Sequence, residues 1–113
     1  MKKIEAIIRP ERLEQVKVAL TDAGYSGLHV ESVTGRGRQR GVIHSGRGGE
    51  HYTIDMLPKV KLVLVVKDDN LEAATNLIIE TARTGNIGDG MLFVSAVEDA
   101  IRVRTGERGD SLL

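Results

Sequence analysis

The order of amphipathic segments constrains the fold of this 113-residue chain more than any other feature. Apolar residues recur at helical spacing in residues 11–23 and again in residues 71–82. Five further segments alternate in polarity or are rich in β-branched residues, and we predict strands there: residues 3–9, 28–33, 57–66, 91–96 and 101–104. The order β-α-β-β-α-β with an extra C-terminal strand predicts a single α+β domain over residues 1–113, a ferredoxin-like sandwich.

A long glycine- and arginine-rich segment, about residues 36–55, separates the second and third predicted strands. It has few apolar side chains, so we expect no regular element there. A loop of this length in a small domain is usually functional or disordered. Residues 36–52 hold four arginines against one glutamate, on a chain whose formal net charge is +0. We therefore expect recognition of a partner protein to concentrate in this loop.

Composition excludes several classes of function. The chain has no cysteine, which removes disulfides, thiolate catalysis and cysteine metal sites. A formal net charge of +0 gives no overall attraction to nucleic acid or to an anionic membrane. The N-terminal segment lacks a long apolar run, so we expect neither a signal peptide nor direct membrane insertion, and a cytoplasmic location.

The segment after the second predicted helix, Thr84-Gly-Asn-Ile-Gly-Asp-Gly90, is typical of an anion-binding loop. Its backbone N–H groups can surround a phosphate, and its glycines allow the backbone to approach closely. Arg102 and Arg104 are two residues apart on the last predicted strand, so they are expected to share a face and to contact phosphate oxygens together. Residues 35–41 form a second glycine- and arginine-rich stretch. Each feature alone is common on protein surfaces, but together they predict a phosphate site.

Ferredoxin-like domains also serve as RNA-recognition modules, which makes RNA binding one alternative. Those modules stack bases on aromatic side chains of the sheet. The aromatic residues here are Tyr25, Tyr52 and Phe93, and none falls in the first or third predicted strand where such a platform is needed. We therefore expect no nucleic-acid partner.

A metal site in the long loop is a second alternative, because His44 and His51 carry imidazoles that suit zinc, copper or nickel. Two histidines without a carboxylate at fixed spacing are usually incidental. We interpret them as loop residues.

Five separated stretches, in order along the chain, resemble the PII signal-transduction protein family: residues 1–10, 37–39, 57–61, 82–90 and 102–107. The resemblance implies a homotrimer of ferredoxin-like subunits. Each cleft between neighbours would bind ATP or ADP, and would bind ATP with Mg²⁺ and 2-oxoglutarate together. The implied function is that of a nitrogen, carbon and energy-status sensor and not of an enzyme. Its long mobile loop would dock on targets such as an ammonium transporter or glutamine synthetase, and Arg9-Pro-Glu11 resembles archaeal-type members.

The resemblance also implies the residues of each site. The nucleotide-binding residues would be His29, Gly35, Arg38, Val65, Arg83, Thr84, Gly85, Gly88, Asp89, Gly90, Arg102 and Arg104. The 2-oxoglutarate site would consist of Arg9, Gln39, Lys59 and Gly88, with the Gln39 side-chain oxygen on Mg²⁺ beside the phosphates. Lys59 would bind the distal carboxylate, although a lysine near a strand end also discourages aggregation.

The sequence departs from the family pattern at several positions. Met91 stands where many members carry a lysine, so one phosphate cation is missing and nucleotide affinity is expected to fall by about 10- to 100-fold unless Arg83 or a loop arginine compensates. His29 occupies the position at which family members often have a threonine that contacts the adenine. Arg47 matches the arginine that enters ammonium channels in some members. Tyr52 matches a modified tyrosine imperfectly, because one residue is inserted before it.

Two alternative functions remain open at this point. The first is a related sensor of another nucleotide, AMP or cyclic AMP, for which Met91 is the hint. The second is a slow ATPase, since some members hydrolyse ATP. No general base is evident near the loop, as Asp89 could equally be structural.

Overall fold

The computed structural model describes residues 1–25, 27–37 and 56–113, together with the backbone of two short strands at 43–45 and 51–53. The elements in chain order are β1 (Lys2–Ile8), α1 (Leu13–Asp22), β2 (Leu28–Gly35), β3 (Ile43–Ser45), β4 (His51–Thr53), β5 (Leu57–Val66), α2 (Leu71–Ala82) and β6 (Gly90–Ala96). Short 3₁₀ helices at Pro10–Arg12 and Asp68–Asn70 lead directly into α1 and α2. In the described part of the chain, no helix has the length and apolar character needed to cross a membrane.

Four strands form one antiparallel sheet in the order β2-β5-β1-β6. Strand β1 lies between β5 and β6, so its residue Ile4 is paired with Leu64 on one side and with Val94 on the other. This arrangement confirms the predicted ferredoxin-like α+β class. The long apolar strand β5 is an inner strand of the sheet, as its sequence predicted.

The core lies between one face of the sheet and the two helices, which pack against each other. Alternate residues of β1 point into it, and residues of α1 and α2 at helical spacing meet them. Its largest fully buried side chains are Ile4, Ile8, Val16, Leu20, Leu62 and Ile78. The opposite face of the sheet carries Met91 and Phe93, which are 61% and 52% exposed. These two side chains form part of the candidate site.

The prediction that the loop of residues 36–55 contains no regular element is wrong. Strands β3 and β4 pair with each other as a separate antiparallel ribbon, with His44 opposite Tyr52. The β-branched residues Ile43 and Thr53 are cross-strand partners in this ribbon, and a glycine-rich stretch separates the two strands. The prediction rested on the glycine- and arginine-rich composition of the whole loop, which gives no signal for strands as short as these two.

The strand predicted at residues 101–104 is also absent. Ile101 makes one isolated bridge to Arg108, and the chain reverses between them. The Arg102 N–H donates to the Glu107 carbonyl at 2.8 Å, and the Gly106 N–H donates to the Arg102 carbonyl at 2.7 Å. Gly106 has φ +71°, which permits the tight reversal. Because residues 103–105 form a turn, strand alternation cannot place Arg102 and Arg104 on one face.

Candidate functional site

A cleft of about 690 Å³ opens where the end of β2, the start of β5 and the loop before β6 meet. Gly35, Arg36 and Gly37 line one side of the cleft, and Asn86 to Gly90 line another. In the part of the chain that the structure describes, its other lining residues are Ile7, Leu57, Lys59, Met91 and Phe93. The cleft therefore combines an apolar wall with a glycine-containing loop and the cation of Lys59.

The loop of residues 84–90, which we call the anion loop, is organised around the carboxylate of Asp89. Its Oδ2 accepts hydrogen bonds from the backbone N–H groups of Thr84 and Gly85, each at 2.8 Å. Its Oδ1 accepts from the Thr84 hydroxyl and from Arg9 Nε, the latter at 3.0 Å. The Thr84 hydroxyl also accepts from the Asn86 N–H at 3.2 Å. The first half of the anion loop is thus closed on itself.

These contacts keep Asp89 ionised. The hydrogen bond from the Thr84 hydroxyl is the main reason that the pKa of Asp89 lies well below its usual range. Partial burial opposes this shift, while Arg9 and the backbone N–H groups of Thr84 and Gly85 add to it.

Arg9 joins the end of β1 to the anion loop. Besides its contact with Asp89, its Nη2 donates to the Ile87 carbonyl at 2.9 Å. It also lines a smaller recess of about 200 Å³ that Lys59 shares. The structure therefore brings together the two cations expected at the 2-oxoglutarate site, with Arg9 already bound to the loop.

Lys59 contacts the anion loop from β5. Its Nζ donates to the Gly88 carbonyl at 2.6 Å. Burial lowers the pKa of Lys59, and the nearby charge of Arg9 lowers it further. A bound anion would counter both effects, since an opposite charge favours the ammonium form.

The other predicted residues divide into three groups. Gly35, Lys59, Gly88, Asp89 and Gly90 all line the cleft. A second group does not line it: His29, Val65, Arg83, Arg102 and Arg104. The third group lies outside the residues whose side chains the structure describes: Arg38, Gln39, Arg47 and Tyr52.

Sequence reasoning missed the apolar wall made by Ile7, Leu57 and Phe93. Ile7 and Met91 are cross-strand partners, and Glu5 and Phe93 are the next pair on the same face. The strand alternation in residues 3–9 could have placed Ile7 on the face opposite Ile4 and Ala6. Its position beside the anion loop depends on the β1–β6 register, which periodicity does not give.

Comparison with known proteins identifies the family. The family model for Nitrogen regulatory protein P-II matches residues 1–107. The chain is 51% identical over 109 residues to Nitrogen regulatory protein P-II 2 of Methanothermobacter thermautotrophicus, covering 96% of this chain and 94% of that protein. It is 54% identical over 110 residues to Nitrogen regulatory protein P-II of Cereibacter sphaeroides, covering 97% of each, and 50% identical over 108 residues to that of Microchaete diplosiphon, covering 96% of each. The chain belongs to the P-II family of nitrogen regulatory proteins, so the predicted family is confirmed.

Proposed function

We propose that this protein senses nitrogen, carbon and energy status by binding ATP or ADP, and 2-oxoglutarate, in its clefts. The bound ligand determines which nitrogen-metabolism targets the segment of residues 36–55 binds. The observation that carries the proposal is the anion loop, whose first half is closed around the Asp89 carboxylate and whose second half is contacted by Lys59. The names of its relatives support a role in nitrogen regulation.

The geometry favours phosphate at the second half of the anion loop. The N–H groups of Thr84 and Gly85 are bound to Asp89, and the N–H of Asn86 is bound to the Thr84 hydroxyl. The donors left for a phosphate are therefore those from Ile87 onward. A nucleotide packed against the apolar wall would displace water from this side of the cleft, and its charge-assisted contacts would then be stronger.

A homotrimer would complete each cleft. Arg102 and Arg104 lie in the C-terminal turn and do not line the cleft of their own chain. A neighbouring subunit related by cyclic symmetry would bring its arginine pair to the phosphates, and three identical clefts would result. This is how the arginines, which do not share a strand face, could still serve the site.

The second effector, 2-oxoglutarate, would bind at the recess shared by Arg9 and Lys59. The ammonium of Lys59 suits a carboxylate. Mg²⁺ prefers oxygen ligands and keeps phosphates among them, so Gln39 would complete a metal site only when ATP is present.

A sensor of AMP or cyclic AMP is the second candidate, and one observation favours it. Met91 is 61% exposed and lines the cleft where a cation would help to bind additional phosphate charge. Slow ATP hydrolysis is less well supported. The carboxylate of Asp89 accepts hydrogen bonds on both oxygens and has a depressed pKa, which makes it a poor general base.

Isothermal titration calorimetry with a ligand panel tests the proposal. We expect ADP and ATP to bind, AMP and cyclic AMP to bind much more weakly, and 2-oxoglutarate to bind only with ATP and Mg²⁺. Tighter binding of AMP or cyclic AMP would favour the second candidate. Binding of 2-oxoglutarate without nucleotide would contradict the shared Mg²⁺ site.

We further propose that the protein acts in the cytoplasm, where the segment of residues 36–55 docks on an ammonium transporter or on glutamine synthetase. The positive excess of residues 36–52 supports a recognition role. Pull-down from host membranes with ADP, or with ATP, Mg²⁺ and 2-oxoglutarate, tests the transporter. We expect the transporter to be retained only in the ADP state and to be lost with Arg47→Ala. Equal retention in both states would exclude a ligand-controlled channel block.

A further inference from the structure

We propose that Asp89 is the positioning residue of the anion loop: its carboxylate acts as an internal anion that occupies the first N–H groups of the loop and presents the later ones to phosphate. This inference rests on the proposed nucleotide site and adds a role within it. The resemblance places Asp89 among the nucleotide-binding residues. The structure assigns its side chain to the loop itself and leaves only its backbone N–H for the nucleotide.

The hydrogen bonds of Asp89 are the first argument. Both oxygens are used, Oδ2 by two backbone N–H groups at 2.8 Å and Oδ1 by the Thr84 hydroxyl and Arg9 Nε. Such a carboxylate has little capacity left for a ligand. Its partners Thr84 and Gly85 are four or five residues away in sequence, so its contacts fix the curvature of the loop.

Charge balance is the second argument. An unpaired carboxylate within a phosphate loop would repel the ligand. Arg9 and Asp89 form a close ion pair, with side chains 15% and 22% exposed. Arg9 therefore offsets the negative charge of Asp89, and the loop can hold an aspartate without excluding anions.

Peptide orientation is the third argument. Arg9 binds the Ile87 carbonyl at 2.9 Å, and Lys59 binds the Gly88 carbonyl at 2.6 Å. In a trans peptide the C=O and the following N–H point in opposite directions. The two cations therefore turn the N–H groups of Gly88 and Asp89 away from themselves. The N–H groups offered to phosphate are thereby directed away from the recess that Arg9 and Lys59 line.

Two pairs of variants test the inference. Asp89→Asn puts an amide against N–H donors, and Asp99→Asn is its control, because Asp99 pairs with Arg108 outside the cleft. Thr84→Val removes the hydroxyl at nearly constant volume, and Thr84→Ser keeps it. For each variant we would measure ADP affinity by calorimetry, the thermal unfolding midpoint, and NMR amide exchange of Thr84 and Gly85 without nucleotide.

We expect Asp89→Asn to weaken ADP binding by about tenfold or more, the range for losing hydrogen bonds to a charged group. Thr84→Val should weaken it several-fold, and Thr84→Ser should restore it to near the wild-type value. Exchange at Thr84 and Gly85 should accelerate in Asp89→Asn and in Thr84→Val. Asp99→Asn should match the wild type in affinity and exchange. Rescue by serine separates a role of the hydroxyl contact from a general loss of folding.

Each contrary result has a distinct meaning. If wild-type protein binds ADP and Asp89→Asn binds it equally well, the positioning role is wrong and the nucleotide site stands. If wild-type protein binds neither ADP nor ATP, the nucleotide site is wrong and the positioning role falls with it, even where Thr84 and Gly85 are protected. If Asp89→Asn fails to fold, the comparison of Thr84→Val with Thr84→Ser decides, and equal affinity in those two variants overturns the inference.

Discussion

The carbonyl oxygen of Ile7 lies only 1.7 Å from the position that a Cβ atom on Gly90 would occupy. Gly90 has φ +107°, a conformation that other residues rarely adopt. The obstruction is backbone, because Gly90 opens β6 opposite the end of β1. Neither strand can withdraw without breaking the β1–β6 pairing, so the anion loop must end in glycine.

Replacing Gly90 with alanine should therefore be far more damaging than the same change at Gly85. Gly85 also has positive φ, +92°, but open space surrounds its Cβ position. We expect Gly90→Ala to lower the free energy of unfolding by about 3 kcal/mol or more, and Gly85→Ala by about 1–2 kcal/mol from backbone strain alone. Urea unfolding of both variants measures the difference. Similar losses would show that the Ile7 carbonyl leaves room for a Cβ atom at Gly90, which would contradict the close approach.

Stability in acid should depend on Asp89. Because its pKa is depressed in the folded protein, its contribution is fully present above the ordinary value of 3.8 and is lost as the pH falls toward the lower folded value. We expect the thermal midpoint of the wild type to fall more steeply below pH 4 than that of Asp89→Asn. Melting curves from pH 7 to pH 2 give both slopes, with Asp99→Asn as the control. Parallel curves for wild type and Asp89→Asn would contradict the ionised network.

Lys59→Met should abolish 2-oxoglutarate binding and weaken ADP binding by only a few-fold. The larger effect follows from loss of the cation for the carboxylate, and the smaller one from loss of the 2.6 Å contact with the Gly88 carbonyl. Lys17→Met is a matched control, because Lys17 pairs with Glu14 on α1. Calorimetry measures both ligands. Equal loss of ADP and 2-oxoglutarate would mean that Lys59 mainly supports the loop.

Arg104→Ala should cost about 1.5–3 kcal/mol of ADP binding energy, the range for a hydrogen bond to a charged group. Arg108→Ala, which removes a neighbouring arginine paired with Asp99, should leave ADP affinity near the wild-type value. Light scattering should give both variants and the wild type three times the 12.3 kDa chain mass. A monomeric wild type would exclude a site completed by a neighbouring subunit. Unchanged ADP affinity in Arg104→Ala would exclude a contact between Arg104 and the nucleotide.

Local patterns predicted most of the fold. The helical spacing of Val16 with Leu20, and of Ala74 with Ile78, gives the buried faces of α1 and α2 directly. The alternation of Ile4, Ala6 and Ile8 gives the buried face of β1. Local patterns gave wrong predictions for short elements, because too few residues contribute to the pattern there. The ribbon at β3 and β4 and the turn that replaces a strand at residues 101–104 are both of this kind.

The internal contacts of the site could not be predicted in the same way. Arg9 and Asp89 are 80 residues apart in sequence, and their pairing depends on β6 lying beside β1. Glycine content indicated an anion loop but not which of its N–H groups are already bound. That distinction required the positions of Thr84 and Gly85 relative to the carboxylate.

The pairing of Gly35 with Leu57 at the last register position of β2 and β5 has a consequence for evolution. The segment between them leaves and re-enters the sheet at adjacent points, so its length and sequence can change without altering the register of the domain. Under the proposed function, the partner-binding part of this segment could then diverge separately from the ligand site. We expect residues 40–55 of one P-II protein, grafted onto another, to carry the donor's choice of partner. The recipient should keep its own ligand affinities, because Arg38 and Gln39, which we propose for the ligand site, are not exchanged.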